Sequence, residues 1–489
     1  MKSWNAVYVV DVNNPENRFS LEPHGNGLIR SQVFAGRLPP GHYQIEGLWA
    51  QQTIGDVTYS LLAPGSENLG SFIVEENRIS SLGTLVFQPL DRLSGARLKT
   101  ESPYMISRFD DTEKLTTFVA EAYPEIYHSL QPTTILGWEP DVYGQFRSGA
   151  NEVINNITVG LEHQWLGDQQ ITMTGPLGKI MFRDAVSGEW QHADTGFNLQ
   201  LAAITRYRNG YISAGERGIV LQSKTLGGDW QRVPGPSTQE AIFWMHFEPD
   251  HGLFALTRAG STVQLYSVND DFDWTPIFTT EHESSFWSGG QYTVFATAPG
   301  DGSIVLFANE ERIVYSITDN TFDRENHQRL IFVTEQPDKT LLHHKPKLLN
   351  FREDQVSFNA GQDWDEIRRV RDYEQWNYQS ASDPIVLNQE DVLAISHRGY
   401  REGTQIEYQE EPKVRRAKHR ARKINGWGEA LPWACTTLLP EISTPERIFA
   451  QCYGGSLLRS EDQGRTWQLD FQPGVIDNGT EPDNPDSTV

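Results

Sequence analysis

The chain is poor in several things that most proteins of its size use. It has 489 residues but only two cysteines and five methionines, and its 41 Lys and Arg fall well short of its 65 Asp and Glu. Two cysteines exclude a disulfide-dense scaffold and any four-thiolate zinc or iron–sulfur site. The formal charge of -24 makes phosphate backbones a poor match, so no nucleic-acid partner is expected. No apolar run approaches 18 residues, which excludes a transmembrane helix of ordinary design. Long 3.6-residue periodicity is missing almost everywhere, which leaves an all-β reading. In contrast, 14 Trp, 17 Tyr and 23 Phe provide ample core material for a folded chain.

Short strand-like runs separated by Gly, Pro and Asn fill residues 1–90. Within them Leu38-Pro39-Pro40-Gly41 makes a turn, after which His42, Tyr43, Gln44 and Ile45 alternate between faces. This Leu-Pro-x-Gly-x-Tyr pattern resembles the small transthyretin-like or carboxypeptidase-regulatory-like β-sandwiches of bacterial envelope proteins. Residues 91–139 carry the helical signal. Asp110 and Glu113 form a capping-box-like start, and Leu115, Phe118, Val119, Ala122 and Ile126 keep helical spacing until Pro124 breaks or kinks it. The expectation is a linker helix packed between two domains. Residues 473–489 are rich in Asp, Asn, Pro and Gly and read as a flexible tail.

Between 140 and 472 the strand-like pattern returns with internal repeats. Ser460, Asp462, Gly464, Thr466 and Trp467 occupy every fixed position of Ser-x-Asp-x-Gly-x-Thr-Trp. Ser357, Asn359, Gly361 and Trp364 repeat it with Asn for Asp, and Ser223, Gly227 and Trp230 repeat it with Thr225 in that place. Looser copies end at Trp190 and Trp274. The pattern resembles the Asp-box, or bacterial neuraminidase repeat, in which Asp and Ser bond backbone across a tight turn and the aromatic seats the next strand. The Trp anchors at 190, 230, 274, 364 and 467 span 277 residues over six intervals, if Phe322 and the 400–430 region hold two further anchors. About 46 residues per interval is the period of a four-stranded propeller blade. Seven blades are expected, with six or eight as the alternatives.

The resemblance brings sialidase-type glycosidases into consideration. These carry an Arg-Ile-Pro motif introducing an arginine triad, a Tyr/Glu pair and an acid/base Asp; no Arg-Ile-Pro occurs here. His-Glu-x-x-His, Gly-x-Ser-x-Gly and a Walker loop are also missing. His343 and His344 are adjacent, and neighbours on a strand face opposite ways, which is wrong for a shared metal. No catalytic residue, cofactor or metal ligand is therefore assigned. One run departs from the acidic background: Lys413, Arg415, Arg416, Lys418, Arg420, Arg422 and Lys423 fall within twelve residues that hold no acid, while the remainder of the chain sums to -31. It reads either as a docking loop for an anionic partner (a protein surface, a polysaccharide or a lipid headgroup) or as a solvated insertion.

Cys435 and Cys452 lie in two strand-like runs and are equidistant from the centre of the turn between them, so a hairpin would set them opposite each other. Either they form a disulfide, which favours an oxidising compartment, or they are two buried thiols. Met1 is followed at once by a strand-like run, which fits a cytoplasmic protein or a mature start in the periplasm, on the outer surface or in secretion. The functional expectation is a non-enzymatic binding or scaffold protein, opposed by a divergent glycoside hydrolase or lyase acting in the central cavity.

Overall fold

A computed structural model describes residues 4–24, 33–54, 57–65, 69–89, 104–109, 119–120, 123–130, 135–136, 162–167, 169–175, 178–197, 199–282, 294–330, 332–347, 351–371, 378–381, 383–389, 391–402, 405–408, 413–418, 431, 435–452 and 455–472. Seven antiparallel sheets follow one another along the chain, within 162–194, 201–232, 241–281, 295–326, 333–371, 378–418 and 435–471. We call them blades 1 to 7. Six are four-stranded meanders in sequence order, and blade 6 is an irregular five-stranded sheet.

The apolar residues show how the blades are arranged, because each cluster joins two neighbours. Ile180 and Phe182 of blade 1 pack with Leu201, Ile219 and Leu221 of blade 2. Corresponding clusters join blades 2 to 3, 3 to 4, 4 to 5, 5 to 6 and 6 to 7. The last cluster sets Ile171, Met173 and Met181 of blade 1 against Leu439, Ile442, Phe449 and Leu457 of blade 7. Seven blades with seven interfaces form a closed propeller, as the 46-residue spacing predicts. Phe322 stands on the outer strand of blade 4 in the place of the missing tryptophan, packed on Tyr315 and Phe278.

Among the described residues blade 7 is built from 435–471 and blade 1 from 162–194, and no strand is shared across the seam. Side chains close it. Arg183 of blade 1 meets Asp470 of blade 7 at 3.2 Å, with their side chains only 6% and 4% exposed. The Trp190 indole donates to the same carboxylate at 2.7 Å, and Arg459 lies 3.0 Å from it. Within blade 7 Cys435 pairs directly with Cys452 and the two form a disulfide.

The N-terminal unit is a six-stranded sheet in the order 33–35, 18–24, 6–11, 41–54, 57–64, with 71–74 also on 41–54. Tyr43 and Ile45 are buried while Gln44 is exposed, and the Tyr43 hydroxyl donates to Pro39 O at 2.8 Å, tying the turn to its strand. Val7, Val9, Tyr43 and Phe72 pack under the hairpin 84–89/104–109, represented in the core by Leu85, Phe87 and Ile106.

That hairpin corrects the reading of 91–139 as a helical linker. Tyr104–Phe109 belongs to the N-terminal unit, and Ile135–Leu136 pairs with Ile79–Ser80. Arg108 is buried and donates to Leu69 O at 2.6 Å. Among the described residues 119–120 are helical, and α1 spans Pro124–Ser129, six residues with none buried. Pro124 lies in the first turn of α1, where a missing N–H breaks no helical bond, so it opens α1 after the helical residues 119–120. Residues 110–118 and the tail 473–489 lie outside the described residues.

Candidate functional site

In a four-stranded meander the first-to-second and third-to-fourth connections emerge on one face, and the second-to-third on the other. The Ser-x-x-x-Gly turns that lead to Trp230, Trp364 and Trp467 are third-to-fourth connections. In blade 7 Ser460 Oγ accepts from Gly464 N at 2.8 Å, and Asp462 Oδ1 accepts from Arg465 N and Thr466 N at 3.0 and 2.8 Å. The Thr466 hydroxyl donates to Asp462 Oδ2 at 2.7 Å, and the Trp467 indole to Gly464 O at 3.1 Å. Gly464 takes φ 83°, which explains the glycine. Blade 5 repeats the turn: Ser357 Oγ accepts from Gly361 N at 2.7 Å and Asn359 Oδ1 from Asp363 N at 3.0 Å. Blade 2 does not, because Thr225 carries no carbonyl oxygen in its side chain; Ser223 donates to Thr225 O, and Trp230 to Leu226 O. The boxes are turn locks, and their residues are structural.

Desolvation pushes the Asp462 carboxyl up, but the bonds from Thr466, Ser460 and Arg465 outweigh it and hold its pKa at about 2. A depressed carboxyl adds stability above its unfolded value and loses it as pH falls. Asp462→Asn, which mimics Asn359, should therefore flatten the acid limb of the stability curve between about pH 4 and 2. Asp462→Ala should cost roughly 1–2 kcal/mol at pH 7, by analogy with lost helix caps. Urea melts at pH 3 and 7 check both, and an unchanged acid limb in the Asn variant would contradict the assignment.

On the same face, the connection Leu439–Arg447 of blade 7 folds inward. Its 3-10 turn Pro440–Ile442 packs against the innermost strands of blade 1, Glu162–Trp165, and blade 5, Val333–Glu335. Blades 5 and 7 are not neighbours, so this turn lies across the channel. Burial, with Asp383 and Glu162 adding like charge, pushes the Glu441 pKa up to about 7. Spacing within the sequence carries no sign of this carboxyl, since its neighbours are 58 and 279 residues away.

His343 and His344 do face opposite ways. His343 is buried, with Nδ1 3.0 Å from Phe332 O and its ring against Trp364. His344 stands between two carboxylates, Nδ1 2.6 Å from Asp354 and Nε2 2.7 Å from Asp383, under a stacked Phe332 ring. Asp383 lies within blade 6, between Tyr378–Ala381 and Ile385–Val386, so the ring ties blade 5 to blade 6. Among the described residues no group of three or more His, Cys, Asp or Glu is disposed to hold a metal ion. None of their helices is long and apolar enough to cross a membrane.

Four of the basic residues identified by charge, Lys413, Arg415, Arg416 and Lys418, form the strand Lys413–Lys418 of blade 6. The strand pairs with Asp391–Ser396, setting Arg415 opposite Ala394 and Arg416 opposite Leu393. This half of the run is therefore a blade strand and not a loop. Arg420, Arg422 and Lys423 lie outside the described residues.

No protein-family model matches the chain, and no curated protein matches it. Solved structures do resemble it. "YCF48 bound to D1 peptide" shares 13% identity over 62% of this chain and 92% of that one, with a TM-score of 0.38. Sqt1 of Saccharomyces cerevisiae shares 12% over 67% and 91%, with a TM-score of 0.40. BamB of Moraxella catarrhalis shares 11% over 61% and 81%, with a TM-score of 0.30.

Proposed function

We propose that this propeller is a non-enzymatic binding or scaffold protein of an oxidising compartment, envelope-associated or secreted, and that blade 6 makes the contact with an anionic partner. The supporting observation is the basic strand Lys413–Lys418 of blade 6, four Lys and Arg in six residues without an acid in a chain of net charge -24. Clustered cations in a negative surround attract an anionic surface at short range while the rest of the body repels it. The disulfide supports the compartment, since such bonds persist where thiols are oxidised. Asp-box turns at blades 5 and 7 support the family resemblance.

The test uses full-length protein and immobilised polyglutamate, heparin, or vesicles containing anionic lipid. Arg420→Ser/Arg422→Ser and Arg415→Ser/Arg416→Ser should each weaken capture at least tenfold and reduce its salt dependence, the first pair without lowering Tm. Equal capture by both variants on all three probes would end the proposal.

One observation favours the opposing enzymatic reading, the Glu441 carboxyl held at about 7 beside Asp383 and Glu162. It ranks second because the turn that carries Glu441 itself occupies the channel between blades 7, 1 and 5.

A further inference from the structure

The seam between blades 7 and 1 holds more positive charge than it neutralises. Arg183 of blade 1 and Arg447 and Arg459 of blade 7 gather round one buried carboxylate, Asp470. A carboxylate offers about four lone-pair sites, and here all four are taken. Oδ2 accepts from the Trp190 indole at 2.7 Å and from Arg183 Nε at 3.2 Å, while Oδ1 accepts from Arg183 Nη2 at 3.3 Å and has Arg459 Nε at 3.0 Å. Glu461, the second acid of the group, meets Arg459 Nη1 at 3.1 Å with its side chain 54% exposed. Three guanidiniums against two carboxylates leave one positive charge over.

Arg447 carries that excess. Among the described residues its side chain makes one hydrogen bond, across the seam from Nη2 to Gln169 Oε1 at 3.2 Å, and the acceptor is a neutral amide. Its Nε is shielded from water and has no acceptor; Arg459 Nε, close to Asp470 but out of line, has none either. Burial and the like charges of Arg183 and Arg459 push the Arg447 pKa down. A charged N–H left unpaired out of water costs more than an ordinary lost hydrogen bond, so two of them in one cluster mark a missing acceptor.

The seam has space for one. Arg459, Glu461, Trp467 and Gln468 line a cavity of about 210 Å³ on the Asp-box face, several times the share of one water, roughly 30 Å³. Ile448 pairs with Ser460, so the next step in register sets the partly exposed Arg447 beside Glu461 on the cavity wall.

We propose that this seam binds one oxyanion, a carboxylate or a phosphate group, against Arg447 and Arg459, and that the bound anion fastens blade 7 to blade 1. Oxygens bearing negative charge are the acceptors that guanidinium forks bind best, and one such group fills both vacant N–H positions while cancelling the excess charge. Arg183 and Arg459 lie on third strands and Asp470 on a fourth, away from the central channel, so the site is separate from any chemistry there. It is also independent of the contact proposed for blade 6.

The test is thermal and urea unfolding of the full-length protein in sodium phosphate or sodium succinate at millimolar concentration, against sodium chloride of equal ionic strength. The wild type should gain stability saturably, its unfolding constant falling about elevenfold at ten times the Kd, and chloride should not reproduce the gain. Gln169→Glu sets a permanent carboxylate at Arg447, so it should raise Tm in chloride and abolish the response to added anion. Arg447→Gln should abolish the response as well; should that variant melt early, the other two variants decide. Glu461→Gln removes the competing acid on the exposed side and should tighten anion binding at least threefold. A stronger response to phosphate assigns the site to phosphate groups, and a stronger response to succinate assigns it to carboxylates. No saturable gain over chloride, or an undiminished gain in Gln169→Glu, overturns the inference, and neither result bears on capture by blade 6.

Discussion

Replacing Asp470 by alanine should destabilise the protein by about 3–5 kcal/mol, the range for removing one partner of a buried ion pair. Its carboxylate receives the Trp190 indole at 2.7 Å and faces Arg183 at 3.2 Å and Arg459 at 3.0 Å, in a seam where the Arg183 side chain is 6% exposed. The alanine would strand a guanidinium out of water with nothing to neutralise it, and desolvation sets the magnitude. Direct attraction would contribute much less, so Asp470→Ala combined with Arg183→Met should recover a large part of the loss. Urea melts followed by tryptophan fluorescence measure both. A single-variant effect below about 1 kcal/mol would mean the seam is held by its apolar cluster alone.

Glu441→Gln should stabilise the protein at pH 8 by roughly 2–3 kcal/mol and leave it unchanged near pH 4, from a shift worth 1.36 kcal/mol per unit. The folded carboxyl titrates at about 7, against 4.5 in an ordinary setting. A raised carboxyl makes the folded state bind its proton more tightly than the unfolded chain does. Stability from this group is full below the unfolded value and falls as pH climbs from about 4.5 through 7. Glutamine copies the protonated form and escapes that loss. Parallel stability curves for the two proteins from pH 4 to 8 would show that Glu441 meets water freely.

Much of the ring is legible in the sequence because blade turns are local. A serine, an Asx residue, a glycine and a tryptophan within eight positions make their hydrogen bonds to one another, so spacing alone reveals them and counts the blades. The seam is not legible. Arg183 and Asp470 are 287 residues apart, and nothing near either one signals the other. Glu441 escapes notice for the same reason, since its environment is assembled by blades 1, 5 and 6. The helical period before Pro124 is met at 119–120, and Pro124 opens a further helix, because a proline fits a first turn whose N–H needs no helical partner. Charge counting located blade 6, yet composition says nothing about pairing, and a basic run that alternates with Val414 and Ala417 serves as a strand as readily as a loop.

A ring whose seven blades are each built from one stretch of chain is modular in construction. With no strand laced across the seam, whole blades can be gained, lost or reordered without cutting a hydrogen-bonded ladder. Every stretch between blades is then a permissible starting point for the polypeptide. Such a chain can diversify one blade, as it has lengthened blade 6, while the other six keep the circle intact.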